Sequence, residues 1–253
     1  MLKEFSVDTI LNKDIKICQP EKGFRFSIDS IILSNFVKYQ KKIKNILDIG
    51  SGSGVISVLL FKIYNFKNID AVEYQDKMYS CLVETIKLNR CENVITPIKC
   101  DIRHFKPEKR YELIISNPPY RSSKSGKICN TREENISRFT ETLTIKDIFK
   151  FAGSYLENLG SLYLSYDADL TEELLSICRN YHLEPKRIMF FHPDIHKPAK
   201  LTFIEFKKGG KTELKIEPPL FQKINGINNQ KFEIMFKKTD FKKEVENESN
   251  SIC

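Results

Sequence analysis

The sequence predicts an α/β fold: a mostly parallel seven-stranded sheet with an antiparallel closing strand and helices on both faces. Three features predict it. Apolar strand-like runs alternate with helix-like segments from Asn45 to Tyr181, as expected of parallel strands joined by crossover helices. A glycine-rich turn, Gly50–Gly54, separates the first such strand from the first such helix. Two later apolar runs, Lys186–Phe191 and Leu201–Phe206, suit an antiparallel closing pair.

The elements follow in order. Cys18–Ser27 is polar with aromatics, and Ile28–Tyr39 reads as a helix. Ser27 suits its N-cap and Asp29 its first turn. That helix is either an ordinary layer on the sheet or a lid over a ligand. Asn45–Ile49 is a buried-strand run, and Val55–Tyr64 is too long and apolar for a strand, so it is a buried helix. Asn68–Glu73 is the second strand. Lys77–Asn89 carries Met78, Leu82, Ile86 and Asn89 on one helical face. Asn93–Lys99 and Tyr111–Ser116 are the third and fourth strands. Lys146–Asn158 is a helix stopped by Gly160. Ser161–Tyr166 is the fifth strand and Leu170–Tyr181 another helix. Right-handed crossovers put the carboxyl ends of the strands on one edge, where ligands bind.

Composition narrows the class. The 253 residues, 41% hydrophobic and 29% charged, suffice for a large α/β core. No apolar run approaches the ~18 residues of a membrane helix, and Met1–Asp14 lacks a signal-peptide pattern. The seven cysteines, at positions 18, 81, 91, 100, 129, 178 and 253, form no CxxC pair. They read as thiols of a reducing cytoplasm. The net charge of +8 is compatible with a polyanionic partner. The stretch from Lys237 to Cys253 is polar and reads as a frayed tail.

The turn Asp48-Ile-Gly-Ser-Gly-Ser-Gly54 lets backbone approach a ligand closely. Dinucleotides use the same device, so the turn alone does not choose a cofactor. Asp48 beside it favours a cation, such as a sulfonium or an ammonium, over a pyrophosphate. Glu73 ends the second strand, where Rossmann-type folds bind ribose. Asp101 follows the third strand and is a candidate for the adenine amino group, or a simple turn cap. Asn117-Pro-Pro-Tyr120 directly follows the fourth strand. An exocyclic amine is a poor nucleophile because its lone pair is delocalised. The Asn117 side-chain oxygen and the Pro118 carbonyl would accept its two hydrogens and localise that pair. Pro118 and Pro119 stiffen the backbone there, and Tyr120 offers a face for a flipped base. These residues point to methyl transfer from S-adenosylmethionine to a planar amino nitrogen.

The motifs DIGSGSG and NPPY resemble those of class I S-adenosylmethionine-dependent methyltransferases acting on adenine N6, cytosine N4, guanine N2 or glutamine amides. More narrowly, the segments GFRFSIDSIILSNF and LEPKRIMFFHPDIHKPAKLTFIEFKKGGK resemble bacterial tRNA adenine-N6 methyltransferases that modify the adenosine beside the anticodon of valine tRNA. The resemblance runs from about Lys22 to Leu220. It implies a Rossmann-like methyltransferase fold, and cofactor contacts from Asp29, Asp48, Gly50, Ser51, Gly52, Gly54, Glu73 and Asp101. It assigns Asn117, Pro118, Pro119 and Tyr120 to the target base. The segment FRFSIDSIIL departs from some relatives, which read KxGTDGILL: Asp29 and the apolar run match, the glycines do not.

Two basic segments complete the reading. Seven Lys/Arg face four acids between positions 121 and 150, and seven face two between 186 and 211. Arg121, Lys124, Lys127, Lys197, Lys200, Lys207 and Lys208 are the candidate RNA contacts, with tRNA as partner. His192, Asp194 and His196 invite a metal, but nothing else at sensible spacing completes a ligand set, and none is expected. Residues 1–40 are expected to form a leading segment with a lid helix, 41–220 the catalytic domain, and 221–253 a partly flexible extension. Three other substrates or roles stay open: a glutamine amide of a release factor, a guanine N2 of ribosomal RNA, and a catalytically silent RNA-binding protein.

Overall fold

The computed structural model describes residues 5–11, 14–21, 28–118 and 143–237. Its strands are β1 (Phe5–Ile10), β2 (Ile15–Pro20), β3 (Ile46–Ile49), β4 (Ile69–Glu73), β5 (Ile95–Lys99), β6 (Tyr111–Ser116), β7 (Leu156–Asp167), β8 (Leu183–Asp194), β9 (Leu201–Lys208), β10 (Lys215–Ile216), β11 (Leu220–Ile224) and β12 (Ile227–Asn228). Its helices are α1 (Ile28–Phe36), α2 (Val55–Tyr64), α3 (Asp76–Leu88), α4 (Ile145–Tyr155), α5 (Thr171–Ile177) and α6 (Gln230–Lys237).

The central sheet runs in the order β12-β11-β8-β9-β7-β6-β3-β4-β5, with β10 also on β8. Strands β5, β4, β3, β6 and β7 are parallel. Strand β9 inserts antiparallel between β7 and β8. The sheet thus holds ten strands rather than the expected seven. The excess is β10, β11 and β12, short strands that extend the β8 edge and carry little apolar periodicity of their own.

Both faces are covered. On one, α1, α2 and α3 pack on Ile46, Leu113, Ile115 and Tyr163. On the other, α4 and α5 pack on Leu47, Ile49, Ile114 and Leu162. The alternation of Leu113 and Ile115 against Ile114 is the period-two signature of a strand buried on both sides. Helix α1 buries seven of its nine residues, and Phe36 meets Tyr163 edge-on at 6.1 Å. It is therefore a layer of the same core as the sheet.

Helix α4 begins in a capping box, Thr144 with Asp147. It ends at Tyr155, before the expected Asn158, because Leu156 turns extended and enters β7. Gly160 stops no helix. It lies inside β7, where an added Cβ would sit 3.1 Å from the Tyr111 carbonyl oxygen, beside a register shift between Tyr111 and Leu113. The segment expected as one helix over Leu170–Tyr181 is α5 flanked by two 3-10 turns. The hairpin β1–β2 stands outside the main sheet and docks on α3. There the Cys18 amide donates to Thr85 Oγ1 at 3.0 Å, and Asn89 both accepts from and donates to the Lys16 backbone.

Arg187 ties one flank together. Its guanidinium donates to Glu205 at 3.1 Å and Glu217 at 3.0 Å, and lies 4.4 Å from the centre of the Phe36 ring. No helix among the described residues is long and apolar enough to cross a membrane. Ser27 and the tail after Lys237 lie outside the described residues.

Candidate active site

The carboxyl ends of β3, β4, β5 and β6 meet along one edge, and the motif residues lie there. Ile49 pairs with Val72 on one side and Ser116 on the other. The glycine turn therefore leaves β3 between Glu73 and Asn117. Gly54 shows why the turn needs its glycines. Its φ is +82°, in the left-handed region, and an added Cβ would lie 2.7 Å from Leu82 Cδ1. Gly50 and Gly52 also have positive φ. Ser51 pins the turn to β4, its amide donating to the Val72 carbonyl at 3.0 Å and its hydroxyl pointing to the same oxygen.

Asp48 is fully buried beneath this turn. Its Oδ2 accepts the Ser57 hydroxyl at 2.6 Å. The Ser57 backbone N–H also favours the carboxylate, so Asp48 caps the first turn of α2, whose Gly54 N-cap supplies no side chain. The second oxygen, Oδ1, is buried without a hydrogen-bond partner. Burial pushes the Asp48 carboxyl up to about 7, with the nearby Glu73 charge adding to the rise and Ser57 opposing it. An unsatisfied buried carboxylate oxygen costs free energy unless a donor or cation reaches it.

Glu73 is buried too. Its two oxygens accept the amides of Gly52 at 2.8 Å and Gln75 at 2.7 Å, bracing the turn from the next strand. Burial raises its pKa while these amides oppose the rise. Asp101 follows β5 and accepts the Arg103 amide at 2.9 Å, while the Arg103 guanidinium grips both its oxygens. Arg103 holds this carboxyl below its ordinary range. Asp101 is thus a turn cap and an ion-pair partner at the position expected for an adenine contact. Asp48 lies on β3, Glu73 ends β4 and Asp101 follows β5, so the three carboxylates come from three neighbouring strands. Such an acid-lined edge suits a cationic nucleoside and repels a pyrophosphate.

The other half of the site starts at Asn117. Ser116 ends β6 with its hydroxyl donating to the Ile49 carbonyl at 2.9 Å. The Asn117 carboxamide then lies between two serines. Its Nδ2 donates to Ser30 Oγ on α1 at 3.1 Å, and its Oδ1 accepts the Ser165 hydroxyl from β7. Pro118 is buried behind it. Asp29, also buried, accepts the Ser30 amide at 3.1 Å. Pro119, Tyr120, Arg121, Lys124 and Lys127 lie outside the described residues.

Strand direction divides the remaining lysines. Asp167 and Phe191 both pair with Leu201, so the loop carrying Lys197 and Lys200 leaves the sheet at the site edge. Both side chains are exposed there. Lys207 pairs with Ser161, and Lys208 with Leu183, towards the opposite edge. The seven-residue run of β7 from Ser161 to Asp167 sets them about 20 Å back. Lys208 Nζ is also engaged by the Leu156 carbonyl at 3.0 Å. Strand β9 runs antiparallel and so carries Lys207 and Lys208 away from the edge that holds the motif residues.

The His192–His196 loop is built from local bonds. His192 Nδ1 meets the Lys197 carbonyl at 2.9 Å, His196 Nε2 meets Asn225 Oδ1 at 2.9 Å, and Asp194 accepts the His196 and Gly226 amides. No metal-holding group of three His, Cys, Asp or Glu side chains occurs among the described residues. Sequence reasoning missed Ser30, Ser57 and Ser165. The available signal was a hydroxyl inside an otherwise apolar run, as in SLYLSY and VISVLL.

The chain is similar to known proteins. A tRNA1(Val) (adenine(37)-N6)-methyltransferase of Haemophilus influenzae is 31% identical over 164 residues, 63% of this chain and 69% of that protein. The protein of that name from Flavobacterium johnsoniae is 22% identical over 207 residues, covering 81% of this chain and 87% of its own. Among solved structures, a predicted O-methyltransferase from Agrobacterium tumefaciens superposes with a TM-score of 0.64 at 16% identity, over 81% of this chain and 94% of that one. That likeness is one of fold. Residues 28–178, more than half of the chain and including the glycine turn, the three carboxylates and Asn117, match the methyltransferase small domain, and the chain belongs to that family.

Proposed function

We propose that this methyltransferase transfers a methyl group from S-adenosylmethionine to the exocyclic N6 amino group of adenosine in tRNA, beside the anticodon, in the cytoplasm. The observation that carries the reading is the Asn117 carboxamide, held at the end of β6 next to the acid-lined glycine turn. Relatives named for this reaction, at 21–31% identity, support the substrate.

The chain's residues fit the cofactor. The glycine turn holds Gly50 and Gly52 at positive φ, a conformation that lets backbone approach a ligand closely. Asp48 Oδ1 lacks a partner that an ammonium or sulfonium would supply. Glu73 is an acceptor-only carboxylate, held by backbone amides at the end of β4 where ribose hydroxyls would bind. Bound there, S-adenosylmethionine supplies an electrophilic methyl group. Asn117 Oδ1 accepts an amino hydrogen of the target and draws the nitrogen lone pair out of conjugation. Lys197 and Lys200, exposed at the same edge, neutralise backbone phosphates.

The test is the destination of labelled methyl. The chain is incubated with labelled S-adenosylmethionine and, separately, unmodified tRNA, ribosomes or release factor. Label in tRNA alone is expected. Label confined to release factor would replace this reading with glutamine-amide methylation, and label confined to ribosomal RNA with guanine methylation.

A further inference from the structure

We infer that Ser30 and Ser165 are positioning residues, which hold the Asn117 carboxamide in the one placement that lets its oxygen meet the target amine. The inference rests on the methyl-transfer reading of Asn117. A carboxamide on a loop has a broad, roughly two-fold torsion at its terminal bond, and only its oxygen accepts an amino hydrogen. Left to itself, it would spend much of its time with the wrong atom or the wrong plane towards the target.

Two elements remove that freedom. Ser116 pairs with Leu164, so the next residue of β7, Ser165, stands beside Asn117. Ser165 is fully buried and pairs with Phe203 on its other flank, which fixes its backbone. Its hydroxyl donates to Asn117 Oδ1. That bond anchors the oxygen end of the carboxamide. From the other side, Ser30 accepts from Nδ2 at 3.1 Å. Ser30 is buried in the first turn of α1, whose Ile31, Ile32 and Leu33 belong to the core. One serine therefore comes from the sheet and one from the helix layer, and each holds a different end of the carboxamide.

The experiment measures steady-state methylation of unmodified tRNA, S-adenosylhomocysteine affinity and melting temperature. The variants are Ser30→Ala, Ser165→Ala, their combination, and Asn117→Ala. Each single serine variant is expected to lower kcat about tenfold, the rate equivalent of one lost hydrogen bond. KM for tRNA and S-adenosylhomocysteine affinity should stay within about twofold, well below the tenfold that such a bond is worth. The combined loss should fall short of the product of the two, because both serines act on a single carboxamide. Ser165→Cys, a near-isosteric and weaker donor, should give an intermediate kcat, and it serves if Ser165→Ala fails to fold. The inference is overturned if both single variants keep the wild-type kcat while Asn117→Ala is inactive. It is also overturned if kcat, KM and cofactor affinity fall together with the melting temperature, since that marks a purely structural role. A wild-type rate for Asn117→Ala would instead refute the role of Asn117 itself.

Discussion

Asp48→Asn separates the charge of the buried carboxyl from its shape. In the folded chain burial pushes this carboxyl up to about 7, against an ordinary value of 3.8. A raised folded pKa means that the stability contribution is fully present below the unfolded pKa and is lost as pH rises through the folded one. The window therefore runs from about pH 4 to pH 7. Between pH 5 and pH 8 the loss is on the order of 3 kcal/mol, accumulated over about two pH units. Asparagine cannot ionise. Its amide nitrogen would take the place of Oδ1, which has no partner, so the variant will be less stable at acidic pH by about 1–3 kcal/mol. The slope, not the absolute value, is the readout. Urea denaturation of both proteins at pH 5 and pH 8 should show the wild type losing roughly 2–3 kcal/mol more than the variant over that interval. A ligand cation at Oδ1 would favour the ionised form. S-adenosylhomocysteine should therefore bind the wild type more tightly at pH 8 than at pH 6, a gain that is missing in the variant. Equal pH slopes in the two proteins would refute the burial argument.

Gly54→Ala combines a left-handed backbone with a 2.7 Å approach to Leu82. It should destabilise the fold by roughly 2–4 kcal/mol, read as a lowered melting temperature; an unchanged one would contradict the tight turn. Arg187→Ala leaves the buried Glu205 charge without its guanidinium, and a loss of about 3–5 kcal/mol is expected. Arg187→Met combined with Glu205→Gln should be less damaging than Arg187→Ala, and greater damage would reject the buried-charge explanation. Replacing Lys197 and Lys200 by alanine should flatten the salt dependence of tRNA binding by about one unit of slope for each lost phosphate contact. The same change at Lys207 and Lys208 should leave that slope unchanged; an equal effect at the two pairs would undo the division by strand direction.

Local pattern carried the central layers. Val55–Tyr64 is a helix at the expected bounds because its apolar run begins directly after a glycine turn and ends at Asn65 in the left-handed conformation. Tyr111–Ser116 is likewise a strand at the expected bounds. What the sequence concealed depends on partners far along the chain. The β1–β2 hairpin is held by Thr85 and Asn89, 67 and 73 residues away from the amides they bind. Gly160 looked like a helix stop because glycine serves both helix ends and bulged strands, and only the Tyr111 neighbour decides between them. The charge of Lys207 and Lys208 is visible in the sequence, but the strand direction that carries them away from the motif edge is not. Within the site, Asp48, Glu73, Asp101 and Asn117 were legible as residues. Their fixed partners Ser57, Gly52, Arg103, Ser30 and Ser165 emerge only when neighbouring strands and helices are in place.

The chemical identity of the methylated product tests N6 transfer most directly. Unmodified tRNA is treated with S-adenosylmethionine and either the wild-type chain or Asn117→Ala, digested to nucleosides and analysed by mass spectrometry. The wild type should yield N6-methyladenosine, and the variant should lose most of it while still binding S-adenosylhomocysteine. Loss of one directed acceptor, by analogy with an oxyanion-hole donor, corresponds to about 3 kcal/mol, or a rate reduction of more than a hundredfold. Methylation at any other atom, or the same N6-methyladenosine yield from the variant as from the wild type, would contradict the account.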